Sequence, residues 1–193
     1  MLTLDLGSQD WIQDAAARIK KNEIGLIPFD TVWGLVGRIT PAVIQRMFDI
    51  KRRPIDRPLL VVIGHEDHLT TLCPSLTSGQ RQQIQIHWPG PVTLVLPKLA
   101  TLPSILTGSA EGVAIRFSAA PWVTDLINAV GEPLISTSAN RHGDPVPSTP
   151  NEWDSRIVDS CDFTVPVTLP MTGTPSMIID CLGLNPRIIR TDS

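Results

Sequence analysis

The sequence predicts an α/β fold, a twisted mixed sheet with helices around it. Three observations carry this reading. Segments with helical spacing alternate with short apolar runs for most of the length. Several runs are continuous and β-branched, Leu59-Leu60-Val61-Val62-Ile63 above all, as in strands covered on both faces. The end of the chain offers strand-like pieces in succession, which makes the sheet mixed rather than wholly parallel.

Taken in order, Ser8 and Asp10 before the spacing Trp11, Ile12, Ala15, Ala16, Ile19 predict an N-capped amphipathic helix. Ile24 to Phe29 reads as a short buried strand bounded by Gly25 and Pro28. Thr40-Pro41 starts a second helix, hydroxyl as cap and proline in the first turn, with Val43, Ile44, Met47 and Phe48 on its buried face. Leu59 to Ile63 is the next strand. A helix over roughly Ser78 to Trp88 precedes a strand at Val92 to Leu96, and Val113-Ala114-Ile115 forms another. Pro121 opens a helix through Trp122, Leu126, Ile127 and Val130, which Gly131 stops. Leu134 to Thr137, Phe163 to Val167, Met177 to Ile179 and Ile188-Ile189 complete the strands. The proline-rich stretch Pro145 to Pro150 is the candidate mobile loop, too short to separate domains, so residues 1–193 are read as one domain.

Composition bounds the function classes. Hydrophobic residues make up 42% of the chain, enough for a core, and the formal net charge of -3 argues against a wholly basic nucleic-acid binder while leaving room for a local basic patch. No basic segment followed by an apolar run opens the sequence, and no stretch approaches the roughly 18 apolar residues of a membrane span. Cys73, Cys161 and Cys181 are odd in number and widely separated, as reduced thiols of a cytoplasmic protein are. None of the four histidines forms a metal motif.

Four segments carry chemistry-bearing residues. Pro28 to Leu35 (Pro-Phe-Asp-Thr-Val-Trp-Gly-Leu) ends the first strand, and Lys51-Arg52-Arg53-Pro54, with Arg57-Pro58 shortly after, ends the second helix. Trp88-Pro89-Gly90-Pro91-Val92-Thr93 introduces a strand, and Ser136-Thr137-Ser138-Ala139-Asn140 closes another. The basic cluster has two readings: cations favoured by a helix C-terminus, or a polyphosphate cradle of point charge and bidentate fork. The Ser136 to Asn140 group is either a cap or a set of oxygen ligands beyond a strand end, where open α/β sheets bind ligands. Arg116, directly after an apolar strand, either reaches solvent or meets an anion, because burying it unpaired is costly. Trp33 and Trp88 are core side chains or pocket walls. No phosphate loop, GxGxxG or nucleophile elbow is present, so a phosphate site here needs another construction.

In this order the segments resemble the YrdC-like threonylcarbamoyl-AMP synthases, with Val113 to Arg116 as a fifth matching piece and similarity running from about Ile24 to Gly143 and weakly through Ser176 to Arg190. The resemblance implies a large concave electropositive cavity in the sheet. It also implies an enzyme joining L-threonine, bicarbonate and ATP into threonylcarbamoyl-AMP with release of pyrophosphate, a nucleotidyl transfer serving tRNA modification in the cytoplasm. Mg²⁺ would ride on the triphosphate, and a partner transferase would consume the adenylate. By the same resemblance Lys51 and Arg53 hold the ATP phosphates, Ser138 and Asn140 complete that site, and Arg190 contacts the nucleotide. Arg116 holds the threonine carboxylate with help from Ser136, Thr137 and Ser138, and Thr31 belongs to the substrate pocket. The chain departs from the family at Phe29, where threonine is usual, and at Trp33, which replaces a smaller aromatic and is expected to reshape the pocket. Val62 stands where some members have histidine, and Thr191 replaces a glycine. Two other classes follow from the same residues: an RNA- or nucleotide-binding module without turnover, and a divergent paralogue with another amino-acid or carbamoyl substrate.

Overall fold

The computed structural model describes residues 2–3, 11–167 and 169–191. The cap expected at Ser8 and Asp10 lies outside the described residues. In chain order the first elements are β1 (Leu2–Thr3), α1 (Trp11–Lys20), β2 (Gly25–Pro28), β3 (Trp33–Arg38), α2 (Pro41–Lys51) and β4 (Leu60–Ile63). There follow α3 (Ser78–His87), β5 (Val92–Pro97), α4 (Ser104–Thr107), β6 (Gly112–Phe117), α5 (Pro121–Val130) and β7 (Leu134–Ser138). The last are α6 (Ser155–Val158), β8 (Phe163–Thr164), β9 (Met177–Asp180) and β10 (Arg187–Arg190). All ten strands join one sheet in the order β1-β8-β2-β3-β7-β4-β6-β5-β9-β10, with both parallel and antiparallel neighbours.

Local signals explain where the helices start and stop. Thr40, in extended geometry, accepts a hydrogen bond from Val43 N at 3.4 Å, and Pro41 fits the first turn of α2 because it lacks the amide that would go unpaired there. Arg52 ends α2 in the left-handed region (φ 48°), which makes Lys51 the last helical residue. Thr77 and Gln80 form a reciprocal capping box on α3. Gly131, at φ 88°, stops α5 where a side chain would be strained.

The structure departs from the sequence reading in three places. Pro28 to Leu35 is not a long loop after a strand: residues 29–32 make a tight turn closed by Phe29 N donating to Val32 O, and Trp33 already begins β3. With two glycines β3 lacks an alternating pattern; pairing with β2 on one side and β7 on the other makes it a strand. β8 stops at Thr164, short of Val167. The short helices α4 and α6 carry too few turns for periodicity to announce.

Register decides what each face buries. Leu26, Leu35, Val61, Ile115, Leu94, Ile135 and Ile179 project to one face and pack under α2, α3, α4 and α6. Ile27, Val36, Leu134 and Val62 project to the other, where α1 and α5 cover them with Ala15, Ile19, Val123, Leu126 and Ile127. The rest of that second face lies beyond these two helices and forms the floor of a cavity.

Candidate functional site

The cavity measures about 300 Å³. Gly34 of β3 pairs with Ser138 of β7; Ser136 pairs with Leu60 of β4, and Leu60 with Ala114 of β6. Val62 pairs with Arg116, Arg116 with Thr93 of β5, Thr93 with Ile178 of β9, and Ile178 with Arg190 of β10. Directly paired residues share a face. The sheet register alone therefore lines up Gly34, Ser138, Ser136, Leu60, Val62, Ala114, Arg116, Ile178 and Arg190 as one floor, all lining the cavity. Thr137 also contributes to the lining, although by register it pairs with Leu35 on the opposite face.

Arg116 is 4% exposed and meets an anion within the protein. Its Nη2 lies 2.7 Å from Asp30 Oδ2, its Nη1 donates to Thr31 Oγ1 at 2.7 Å, and its Nε donates to Gly90 O at 3.2 Å. Ser118 Oγ donates to the second Asp30 oxygen at 2.7 Å. A guanidinium has five N–H donors: Nε and one N–H of Nη1 are used, and the buried Nη2, although ion-paired with Asp30, makes no aligned hydrogen bond. Burial lowers the Arg116 pKa and Asp30 raises it; the Arg190 charge lowers it further.

Arg53 and Arg190 reach the cavity from the end of α2 and from β10. Arg53 donates to Arg57 O and Pro58 O at 2.8 and 2.9 Å, and Arg190 donates to Ser176 O from two nitrogens, at 3.1 and 2.7 Å. Carbonyls orient both guanidiniums without neutralising them. Burial, then the Arg57 and Arg190 charges, lower Arg53; burial lowers Arg190. Of the other cations in the basic cluster, Arg52 and Arg57 are exposed.

Lys51 is placed differently from its expected role at the ATP phosphates. It is 1% exposed and does not line the cavity. Its Nζ donates to Ser138 O and Asn140 O, each at 2.5 Å, and to Asn140 Oδ1 at 3.2 Å, while its own carbonyl accepts from His142 N at 2.9 Å. The ammonium thus holds the turn after β7 from beneath. Ser138 Oγ donates to Asn140 Oδ1 at 2.5 Å, and Asn140 Nδ2 donates to Asp144 O at 2.6 Å, which fixes the amide at the rim. Burial, then the neighbouring Arg53, bring Lys51 down to about 7.

The tryptophans are core, not pocket walls. Trp33 is fully buried and meets Trp153 edge to face, ring centroids 4.9 Å apart; Trp88 Nε1 donates to Val92 O at 2.8 Å. Trp33, two residues before Leu35, faces the core side of β3, so it does not shape the cavity. Phe29 does line it, at 5% exposure.

Two functional groups escaped assignment from sequence. Asp30 sits inside the quoted Pro28 to Leu35 segment, and its signal was an acid beside Thr31 that only the fold brings to Arg116. Ser176 precedes β9, accepts from Arg190 and shares a 2.8 Å hydrogen bond with Thr93; no motif marks it. The segment carrying it is tied over the turn after β2, with Thr172 N donating to Asp30 O and Gly173 N to Thr31 O, both at 2.9 Å.

A family model described as telomere recombination (Sua5, YciO and YrdC) matches residues 17–191. The chain belongs to the Sua5/YciO/YrdC family. A threonylcarbamoyl-AMP synthase from Xanthomonas oryzae pv. oryzae (strain PXO99A) is 33% identical over 172 residues, 88% of this chain and 92% of that protein. P. abyssi Sua5 superposes in two solved structures at 27% identity. A double variant gives a TM-score of 0.91 over 100% of this chain and 60% of that one; the complex with L-threonine gives 0.86 over 98% and 56%. The chain therefore spans little more than half of the archaeal protein. E. coli YciO, 21% identical with a TM-score of 0.85 over 98% of this chain and 92% of that one, shares the fold. Among the described residues no helix is long and apolar enough to cross a membrane.

Proposed function

We propose that the protein is a threonylcarbamoyl-AMP synthase, acting in the cytoplasm on the route to modified tRNA. The observation that carries this is the convergence of Arg53, Arg116 and Arg190 on one cavity from sequence-distant elements, with Arg190 depressing both of the others. Asp30 pairs with Arg116, but Arg53 and Arg190 are held by oxygen acceptors that carry no charge, so the cavity keeps an excess of positive charge that a triphosphate beside a carboxylate relieves. The relatives' names identify which anions.

In this reading bicarbonate takes up a proton and loses water to give carbon dioxide, and the amine of L-threonine adds to that carbon dioxide, giving a carbamate and releasing a proton. A carbamate oxygen then bonds to the α-phosphorus of ATP as the bond to the β-phosphate oxygen breaks, and pyrophosphate leaves with that electron pair. No side-chain nucleophile is needed; alignment of mutually repelling anions and neutralisation of the leaving group supply the rate. Arg116 offers its uncommitted N–H groups to the threonine carboxylate, and the Thr31 hydroxyl, which accepts from Arg116, keeps its own proton to donate. Arg53 and Arg190 take the phosphates with Ser138 and Asn140 at the rim, and Ser136 and Thr137 supply further hydroxyls. Lys51 acts through Ser138 and Asn140, whose carbonyls it holds. Mg²⁺ enters as part of the nucleotide substrate: the lining carries no carboxylate, and no cluster of three His, Cys, Asp or Glu side chains occurs among the described residues. The product is then consumed by a transferase acting on tRNA.

Pyrophosphate release by purified protein tests this. Release that requires ATP, L-threonine and bicarbonate together, with threonylcarbamoyl-AMP seen by mass spectrometry, is expected. Nucleotide binding without release under any combination would instead support a binding module.

A further inference from the structure

We propose that Phe29 and Val62 form an apolar wall that receives the amino-acid side chain, so that the site reads methyl bulk and accepts L-valine comparably with L-threonine. This rests on the synthase reading and deepens it at one subsite.

Arg116 fixes where an amino-acid carboxylate would dock. Its partner across the β4–β6 pair on the cavity face is Val62, 2% exposed. Phe29 lies on the same wall. A Cβ built on Gly34 would come within 2.8 Å of two atoms of the Phe29 ring, so the ring rests on the bare backbone of the cavity floor. Phe29 and Val62 also line, from the other side, an apolar seam shared with Ile27, Val36, Val123, Leu126, Ile127 and Leu134. They are the partition between the cavity and the core under α1 and α5, and they present carbon to both.

A phenyl ring and an isopropyl group neither donate nor accept a hydrogen bond. Ser136 Oγ lies 3.2 Å from the same built Cβ, and Thr31 Oγ1, which accepts from Arg116, keeps its proton for the carboxylate docked there. A pocket of this kind separates substrates by a methyl group about 10–200-fold, and it gives a hydroxyl-bearing isostere no advantage, disfavouring it by up to about 100-fold. Threonine and valine are such isosteres. Serine lacks the methyl group that would fill the wall.

The experiment measures kcat/KM for L-threonine, L-valine and L-serine in ATP- and bicarbonate-dependent pyrophosphate release. Valine at no less than a tenth of the threonine value, a preference for valine included, with serine lower than both by tenfold or more, is expected. Phe29→Thr and Val62→Thr, which each place a hydroxyl on the wall, should raise the threonine-to-valine ratio at least tenfold. Val62→Thr preserves volume and keeps the test usable if Phe29→Thr does not fold. A wild-type preference for threonine above tenfold overturns the proposal and gives the substrate hydroxyl to Ser136, and so does serine equal to threonine. If no amino acid supports turnover, the synthase reading falls. The subsite is then judged by calorimetric binding of L-valine and L-threonine in the presence of ATP: affinities within tenfold sustain it, and no binding of either overturns it.

Discussion

Asp30 and Lys51 show how one buried side chain sets up another. Asp30 holds the Arg116 guanidinium at 2.7 Å and neutralises it in the free protein. Asp30→Asn keeps the shape and removes the charge; KM for the amino acid is expected to rise tenfold or more, in line with the roughly 1.5–3 kcal/mol of a charged hydrogen bond, with kcat changed less. Steady-state kinetics at saturating ATP checks this. Lys51 is a base whose folded pKa, about 7, lies below its ordinary 10.5. Between those values the folded state binds fewer protons than the unfolded one, so this group makes stability rise with pH across that window and contributes no slope below it. The urea midpoint of wild type minus that of Lys51→Met should therefore increase as pH is raised from 7 toward 10.5. A difference that stays constant would mean that the three carbonyl oxygens hold the charged form. Neither partnership was visible in the sequence: Lys51 and Asn140 are far apart in the chain, and Lys51 was grouped with the other cations as a phosphate ligand because its charge was legible and its burial was not.

At the scale of elements, β3 was the main miss and is also what the cavity needs. Its Gly34 leaves the floor open where the Phe29 ring and Ser136 Oγ come close. Gly34→Ala is expected to destabilise the protein by about 1–3 kcal/mol, the usual cost of overpacking, because the ring must shift. Denaturant unfolding measures it, and the variant should also lose amino-acid affinity through the displaced wall. Helices were legible where chemistry marks their ends: Thr40-Pro41 on α2, and Pro121 with Gly131 on α5, lie where they were expected. Strands with continuous β-branched runs, such as β4, were equally clear. β8 was legible in its start at Phe163 and not in its end, and the short helices were not legible, since four residues carry no period and exist through their neighbours.

At the scale of the whole molecule, three guanidiniums reach one cavity against the single carboxylate of Asp30, an excess of positive charge held in place before a ligand arrives. Pyrophosphate, the anion that the proposed reaction releases, should bind the folded form and raise its melting temperature. At a hundredfold excess over Kd the gain is about 2.7 kcal/mol. The shift should shrink markedly in Arg53→Ala with Arg190→Ala, and should fall in wild type as salt screens the three guanidiniums. A pyrophosphate-induced shift unchanged in the double variant would remove these arginines from the phosphate site.

The sequence by itself determined the α/β class, the order of most elements, the family and the residue types of the site, because these rest on local periodicity, turn chemistry and short motifs. Tertiary structure alone decided which residues share the floor. Side-chain direction along a strand has period two, so only pairing register puts Ser136, Val62, Arg116 and Arg190 on one face and sends Trp33 to the other. It also decided that Lys51 is buried under the turn it supports, since burial of a charge depends on what a distant strand end offers it in place of water.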